Sequence, residues 1–104
     1  DGVIQGEVWW IDHFGNAQTN VSPDDLAGLG LAPGSNLMIR VGSARHPIRW
    51  VEAYADVAEG EPLVHVDSYG LLAIAVRGGR ADESLSLHDR LSIGFAPATL
   101  TPPT

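Results

Sequence analysis

The sequence predicts an all-β fold, a small antiparallel β-barrel of about seven short strands with one or two short helical turns. Two observations carry this. Twelve glycines and seven prolines in 104 residues punctuate the chain too often for long helices. Between them lie short apolar stretches, the first alternating with the period of a strand, each bounded by turn residues. The length suits one domain with a single modest core, and 44% apolar residues is ordinary for a globular chain.

The elements follow in order. "GVIQGEVWWID" sets Ile4, Val8 and Trp10 on one face with Gly6 between them, and Glu7 and Trp9 on the other. Asp12 then falls on the inner face at the strand end. After a Phe14-Gly15-Asn16 turn, "NAQTNV" reads as a second short strand. "SPDDLAGLGL" reads as a brief helix. Ser22 caps it, Pro23 suits its first position, Asp24 and Asp25 suit the positive end of its dipole, and Gly28 or Gly30 stops it. "NLMIRVG" and "HPIRWVEAY" are strands joined at Gly42-Ser43-Ala44. "PLVHVDS" and "LLAIAVR" form a tight hairpin through Tyr69-Gly70, with Gly70 supplying positive φ. "RADESLSL" is a helical turn or loop, and "RLSIGFA" closes the series. The barrel is expected over residues 1–96. The Pro/Thr-rich tail 97–104 has no periodicity, and neither an internal repeat nor a second domain is visible.

Composition removes several function classes. The net charge is −7, with six arginines and no lysine, so the clustered cations that grip phosphate backbones are missing and nucleic acid is not an expected partner. The acidic balance suits solubility and could also favour a cationic ligand. No apolar run is long enough for a membrane span, and no secretory leader pattern is present. Without cysteine there is neither a disulfide framework nor thiolate chemistry. A cytoplasmic location fits. The chain opens at Asp1 rather than Met, as expected of a piece of something longer.

Three stretches could carry chemistry. An acid on an inner face at a strand end, Asp12, needs a cationic partner or ligand if desolvated. Its neighbours Phe14 and Asn16 also suit a plain turn. Asp67 and Ser68 end a strand beside a hairpin, as turn formers or as ligand contacts, and Ser68 shares the core-side face of Val64 and Val66. Tyr54 ends a strand ahead of an acidic loop, where it caps a core or stacks on a flat ligand. His65 and Asp67 share a strand face as a conceivable metal pair, but no third ligand is placed, and no metal is expected. Nucleophile elbows and phosphate-cradling loops are missing.

Taken together, two blocks resemble a known family. "GEVWWIDHFGNAQTNV" resembles the opening of the C-terminal domain of the S-adenosylmethionine hydrolases, or SAM hydroxide adenosyltransferases, relatives of the fluorinase and chlorinase enzymes. "YADVAEGEPLVHVDSYGLLAIAVRGGRADESLSLHDRLSI" resembles its second half. The resemblance covers residues 2–96 in the right order. It implies a two-domain subunit, with an α/β N-terminal catalytic domain absent from this chain, a small C-terminal barrel, and a homotrimer. The active site would lie between the N-terminal domain of one subunit and the barrel of its neighbour.

The implied reaction is attack of water at C5′ of S-adenosylmethionine, giving adenosine and methionine, with S-adenosylmethionine as substrate and no cofactor. The groups that handle the nucleophile would belong to the N-terminal domain, so no catalytic residue falls on this chain, which is expected to be inactive alone. Substrate binding carries over residue by residue. Asp12 matches the acid that holds the ammonium group, Ser68 the hydroxyl at the amino-acid end, and Asn16 the amide that reads the adenine edge. Phe14 and Tyr54 are candidates for the adenine faces, and Tyr69, Val76 and Arg77 complete the candidate set, with backbone near Val76 to Gly79 facing the adenine. Some positions depart from the pattern. Ala73 stands where many hydrolases have Glu, Arg77 where many have Asn, and His88-Asp89 replaces Gly-Asp. Gln18 and Tyr69 stand where the fluorinase has Trp and Arg, which favours the hydrolase branch over the halogenase branch. A stand-alone ligand-binding or scaffold barrel is the alternative from another class. In an isolated barrel, Trp9 or Trp50 is expected at the surface.

Overall fold

The computed structural model describes residues 2–98. Its strands are β1 (Ile4–Ile11), β2 (Ala17–Thr19), β3 (Asn36–Val41), β4 (Ala44–Trp50), β5 (Pro62–Val66), β6 (Leu72–Val76) and β7 (Ser92–Pro97). Two short helices, α1 (Pro23–Ala27) and α2 (Ala81–Ser84), and a 3₁₀ turn at Tyr54–Asp56 complete the set. The strands close into a barrel in the order β1-β2-β6-β5-β4-β3-β7. All pairings are antiparallel except β4–β5, which runs parallel over Arg49↔Leu63 and Trp50↔Val64. The residues from Val51 to Glu61 cross between these two strands, which is why Tyr54 lies in a 3₁₀ turn and not on the predicted strand end. β7 continues through Pro97. The rest of the expected tail, 99–104, lies outside the described residues.

Local chemistry explains the elements. At α1 the Ser22 hydroxyl accepts the Asp25 N–H at 3.1 Å while the Asp25 carboxylate accepts the Ser22 N–H at 3.0 Å. That capping box, with Pro23 at the first turn, starts a five-residue helix whose Leu26 plugs the core. The β3–β4 hairpin closes through Gly42-Ser43, since Val41 already pairs with Ala44. The barrel interior is filled by Val8, Leu37, Ile39, Ile74, Ile93 and Phe95, with Leu26 and Leu72. A second, smaller core of Val51, Val57, Leu63 and Ala75 lies beside it under the crossing segment. β6 is therefore buried at all five positions, as a strand covered on both faces must be.

The register of β1 differs from simple alternation. Val8 pairs with Thr19 and Trp10 with Gln18, so β1 carries one extra residue, Trp9. This β-bulge turns Trp10 out of the barrel, where it is 38% exposed, and leaves Trp9 47% exposed beside it. The two indoles stack with centroids 6.5 Å apart. Asp12, expected to follow Trp10 inward, leaves the interior with it. Of the two tryptophans expected at the surface, Trp9 is exposed and Trp50 is buried.

Candidate functional site

The site grows from two hairpin loops that share one design. In the first, Asp12-His13-Phe14-Gly15-Asn16, Asp12 Oδ1 accepts the backbone N–H groups of Phe14 and Asn16, each at 2.9 Å. Asp12 N–H donates to the Asn16 carbonyl, and Gly15 N–H to the Asp12 carbonyl. In the second, Asp67-Ser68-Tyr69-Gly70-Leu71, Asp67 Oδ1 accepts Tyr69 N–H at 2.8 Å and Leu71 N–H at 3.1 Å. The same two backbone bonds recur there. Gly15 and Gly70 take φ of +83° and +78°, the left-handed conformation that a side chain disfavours. Each loop presents its aromatic, Phe14 at 72% and Tyr69 at 71% exposure. Sequence reading found no internal repeat. The repeated Asp-x-aromatic-Gly was the signal, too short to stand out.

Between the loops, the ladder pairings set four side chains in one row on the outer barrel face. Trp10 pairs with Gln18, Gln18 with Ala73, and Ala73 with His65. Tyr69 meets Trp10 edge-on at 5.6 Å, and Tyr54 meets His65 edge-on at 5.4 Å. Asn16 Nδ2 donates to the Tyr54 hydroxyl at 3.3 Å, and that hydroxyl lies 3.5 Å from His65 Nε2. His65 Nδ1 lies 3.2 Å from the Val66 carbonyl. A carbonyl only accepts, so Nδ1 is the donor in that contact. Gln18 Nε2 donates to Asp12 Oδ2 at 3.2 Å.

Of the sequence candidates, the structure brings together Asp12, Asn16 and Tyr54, with Phe14 on the same loop. Tyr69 joins the far end of the row through Trp10. Ser68 is exposed in the second loop, and Val66 is exposed rather than core-facing. Val76 is buried at the end of β6. Arg77 is turned to the crossing segment, its guanidinium donating to the Val57 carbonyl at 2.7 Å and its peptide paired with Gly60 and Glu61. The conceivable metal pair is taken up otherwise, Asp67 as a loop cap and His65 by Tyr54 and Val66. Among the described residues no three His, Asp or Glu gather to hold a metal.

Sequence reasoning gave no site role to Trp10, Arg80 or Asp82, and read Gln18 only as a mark of the branch. Arg80 donates twice to the Asp82 carboxylate, both at 3.1 Å, and once to the His13 carbonyl at 3.1 Å. Asp82 N–H donates to the Gly15 carbonyl at 3.0 Å. The first loop is thus clamped from outside. The Arg80 hydrogen bond holds the Asp82 carboxyl below its ordinary range. Asp82 in turn raises Arg80. A groove of about 340 Å³ lies elsewhere, among Asn36, Pro47, Arg49, Glu61 and Pro62. It contains none of the residues of the row.

Comparison with known proteins agrees with this architecture. A family model for the SAM hydroxide adenosyltransferase C-terminal domain matches residues 6–93. A protein named (R)-S-adenosyl-L-methionine hydrolase from Salinispora tropica is 46% identical over 89 residues, covering 84% of this chain and 31% of the relative. A fluorinase from Actinopolyspora mzabensis is 31% identical over 96 residues, covering 89% of this chain and 32% of the relative. The crystal structure of a conserved protein from Thermotoga maritima superposes with a TM-score of 0.88 at 35% identity, over 92% of this chain and 36% of that one. The chain thus spans about a third of the length of the curated relatives it matches. With a closed seven-strand barrel, two ordered sequence blocks and a family match over most of its length, the chain belongs to the SAM hydroxide adenosyltransferase C-terminal domain family.

Proposed function

We propose that this chain is the adenosyl-binding barrel of a SAM hydrolase, working against the N-terminal α/β domain of a neighbouring subunit in a cytoplasmic homotrimer. The observation that carries the reading is the Asn16–Tyr54 contact beside the Gln18–Asp12 pair, at the edge of the outer row. Asn16 keeps an amide oxygen and one N–H for an adenine edge, a donor and acceptor together. Tyr54 and Phe14 offer rings to its faces. Asp12 and Ser68 serve the amino-acid end of S-adenosylmethionine. Fixing both ends of the substrate holds C5′ for in-line attack, so that a C–O bond forms as the C5′–S bond breaks. The Asp12 carboxylate already accepts three hydrogen bonds, which hold it in one orientation and support a binding role.

The test is to incubate the intact protein with S-adenosylmethionine, with and without halide, and identify the products by mass. Adenosine and methionine are expected, with turnover sharply reduced in Asn16→Leu. A halogenated adenosine would move the protein to the halogenase branch. No turnover and no binding of S-adenosylmethionine would leave a stand-alone barrel and overturn the reading.

A further inference from the structure

Gln18 is the polar side chain on the outer row that the fold leaves half satisfied. It is 8% exposed, and Oε1 has no hydrogen-bond partner among the described residues. The amide orientation is fixed by its neighbour. Turned the other way, Oε1 would face the Asp12 carboxylate, two acceptors with no proton between them. Nε2 therefore faces Asp12, and Oε1 is left over. Its ladder neighbours do not supply a donor. Ala73 has none, and the Trp10 indole N–H does not reach it. A buried acceptor without a donor is costly to keep. Beside it, Oδ2 of the Asp12 carboxylate has taken only one hydrogen bond, while Oδ1 has taken two. Two acceptors, one of them charged, thus share a neighbourhood with unused capacity. A hydroxyl or an amide would bring no charge to match. A primary ammonium brings three N–H groups and the charge.

We propose that Gln18 is a specificity-determining residue, whose Oε1 accepts one N–H of a ligand's primary ammonium group while Asp12 Oδ2 accepts another. The inference rests on reading this face as the adenosyl site. Gln18 then does two things at once: its N–H holds Asp12 in place, and its oxygen reads the ligand.

The experiment titrates the intact protein with two probes. S-adenosylhomocysteine carries the ammonium group, and 5′-methylthioadenosine lacks the amino-acid end. Gln18→Leu is expected to weaken S-adenosylhomocysteine binding about ten- to a hundredfold, the range for a hydrogen bond to a charged group. Methylthioadenosine binding is expected to stay unchanged. Gln18→Lys keeps an N–H donor toward Asp12 but has no acceptor, and it is expected to lose S-adenosylhomocysteine binding at least as fully as Gln18→Leu; retained binding there would overturn the role given to Oε1. If both variants weaken both probes alike, Gln18 only props the Asp12 loop and the inference is wrong. If wild type binds both probes and Gln18→Leu changes neither, the inference fails alone. If wild type binds neither probe, the adenosyl reading fails and takes the inference with it.

Discussion

The loops at Asp12 and Asp67 have the same backbone, yet only one is built into its surroundings. Each uses an aspartate Oδ1 to cap two N–H groups and a left-handed glycine to turn. Among the described residues, only the first has its second carboxylate oxygen engaged, by Gln18, and its backbone clamped by Arg80 and Asp82. The aspartate in such a loop is thus explained by turn chemistry alone, and its presence says nothing about a ligand. What distinguishes the first loop is that Gln18 engages the oxygen the turn does not need. Replacing Asp12 would damage the loop as well as any ligand contact, so that substitution cannot separate the two roles.

The largest expected effect separates the loops through their glycines. A methyl group at Gly15 would lie 2.7 Å from Arg80 Cβ and 2.7 Å from Asp82 Oδ1, whereas one at Gly70 meets open space. Gly70→Ala should cost about 1–2 kcal/mol for left-handed backbone alone, and Gly15→Ala distinctly more, as urea unfolding will read. Equal costs would mean that the clamp is slack. Removing the caps comes next. Asp12→Ala and Asp67→Ala should each cost roughly 1–3 kcal/mol, as lost hydrogen bonds to a charged group, with Asp12→Ala the larger because it also strands Gln18.

The clamp is also expected to respond to acid. Asp82 titrates below its ordinary value of 3.8, so the folded state binds its proton more weakly than the unfolded state does. Its stabilising contribution is full above that ordinary value and is lost as pH falls through the depressed one. The stability gap between wild type and Asp82→Asn should therefore be present at neutral pH and close in strong acid. A gap independent of pH would break this account of the clamp. The smallest effect belongs to the exposed rings. Tyr69→Ala should cost about 0.5–1.5 kcal/mol through its edge contact with Trp10 and shift tryptophan emission. Phe14→Ala, whose ring meets only the neighbouring His13 edge-on among aromatic partners, should leave that emission unchanged.

Much of the fold was legible because its signals are local. Ser22, Pro23 and Asp25 announce α1 within four residues, and Gly42 and Gly70 mark their hairpins. The bulge at Trp9 was not legible. Two adjacent tryptophans fit either face, and nothing in β1 itself says which one is the extra residue. The parallel β4–β5 pair depends on barrel closure, which no local pattern encodes. The site was half legible for the same reason. Asp12, Phe14 and Asn16 share one loop, but their link to Tyr54 spans 38 residues in sequence. The row Trp10, Gln18, Ala73 and His65 runs across strands, so no periodicity along the chain reveals it. Arg80 and Asp82 read as ordinary helix-start residues until the fold lays them against His13 and Gly15.

Tryptophan emission separates binding on the proposed outer row from binding in the barrel interior, because Trp10 stands on that row and the Trp50 side chain is buried in the core. Titrating S-adenosylhomocysteine into the intact protein should change the emission. Because Trp9 stacks on Trp10, the change should vanish in the Trp9→Phe/Trp10→Phe double variant and persist in Trp50→Phe. A signal that survives the double variant and disappears with Trp50→Phe would place the ligand away from the row.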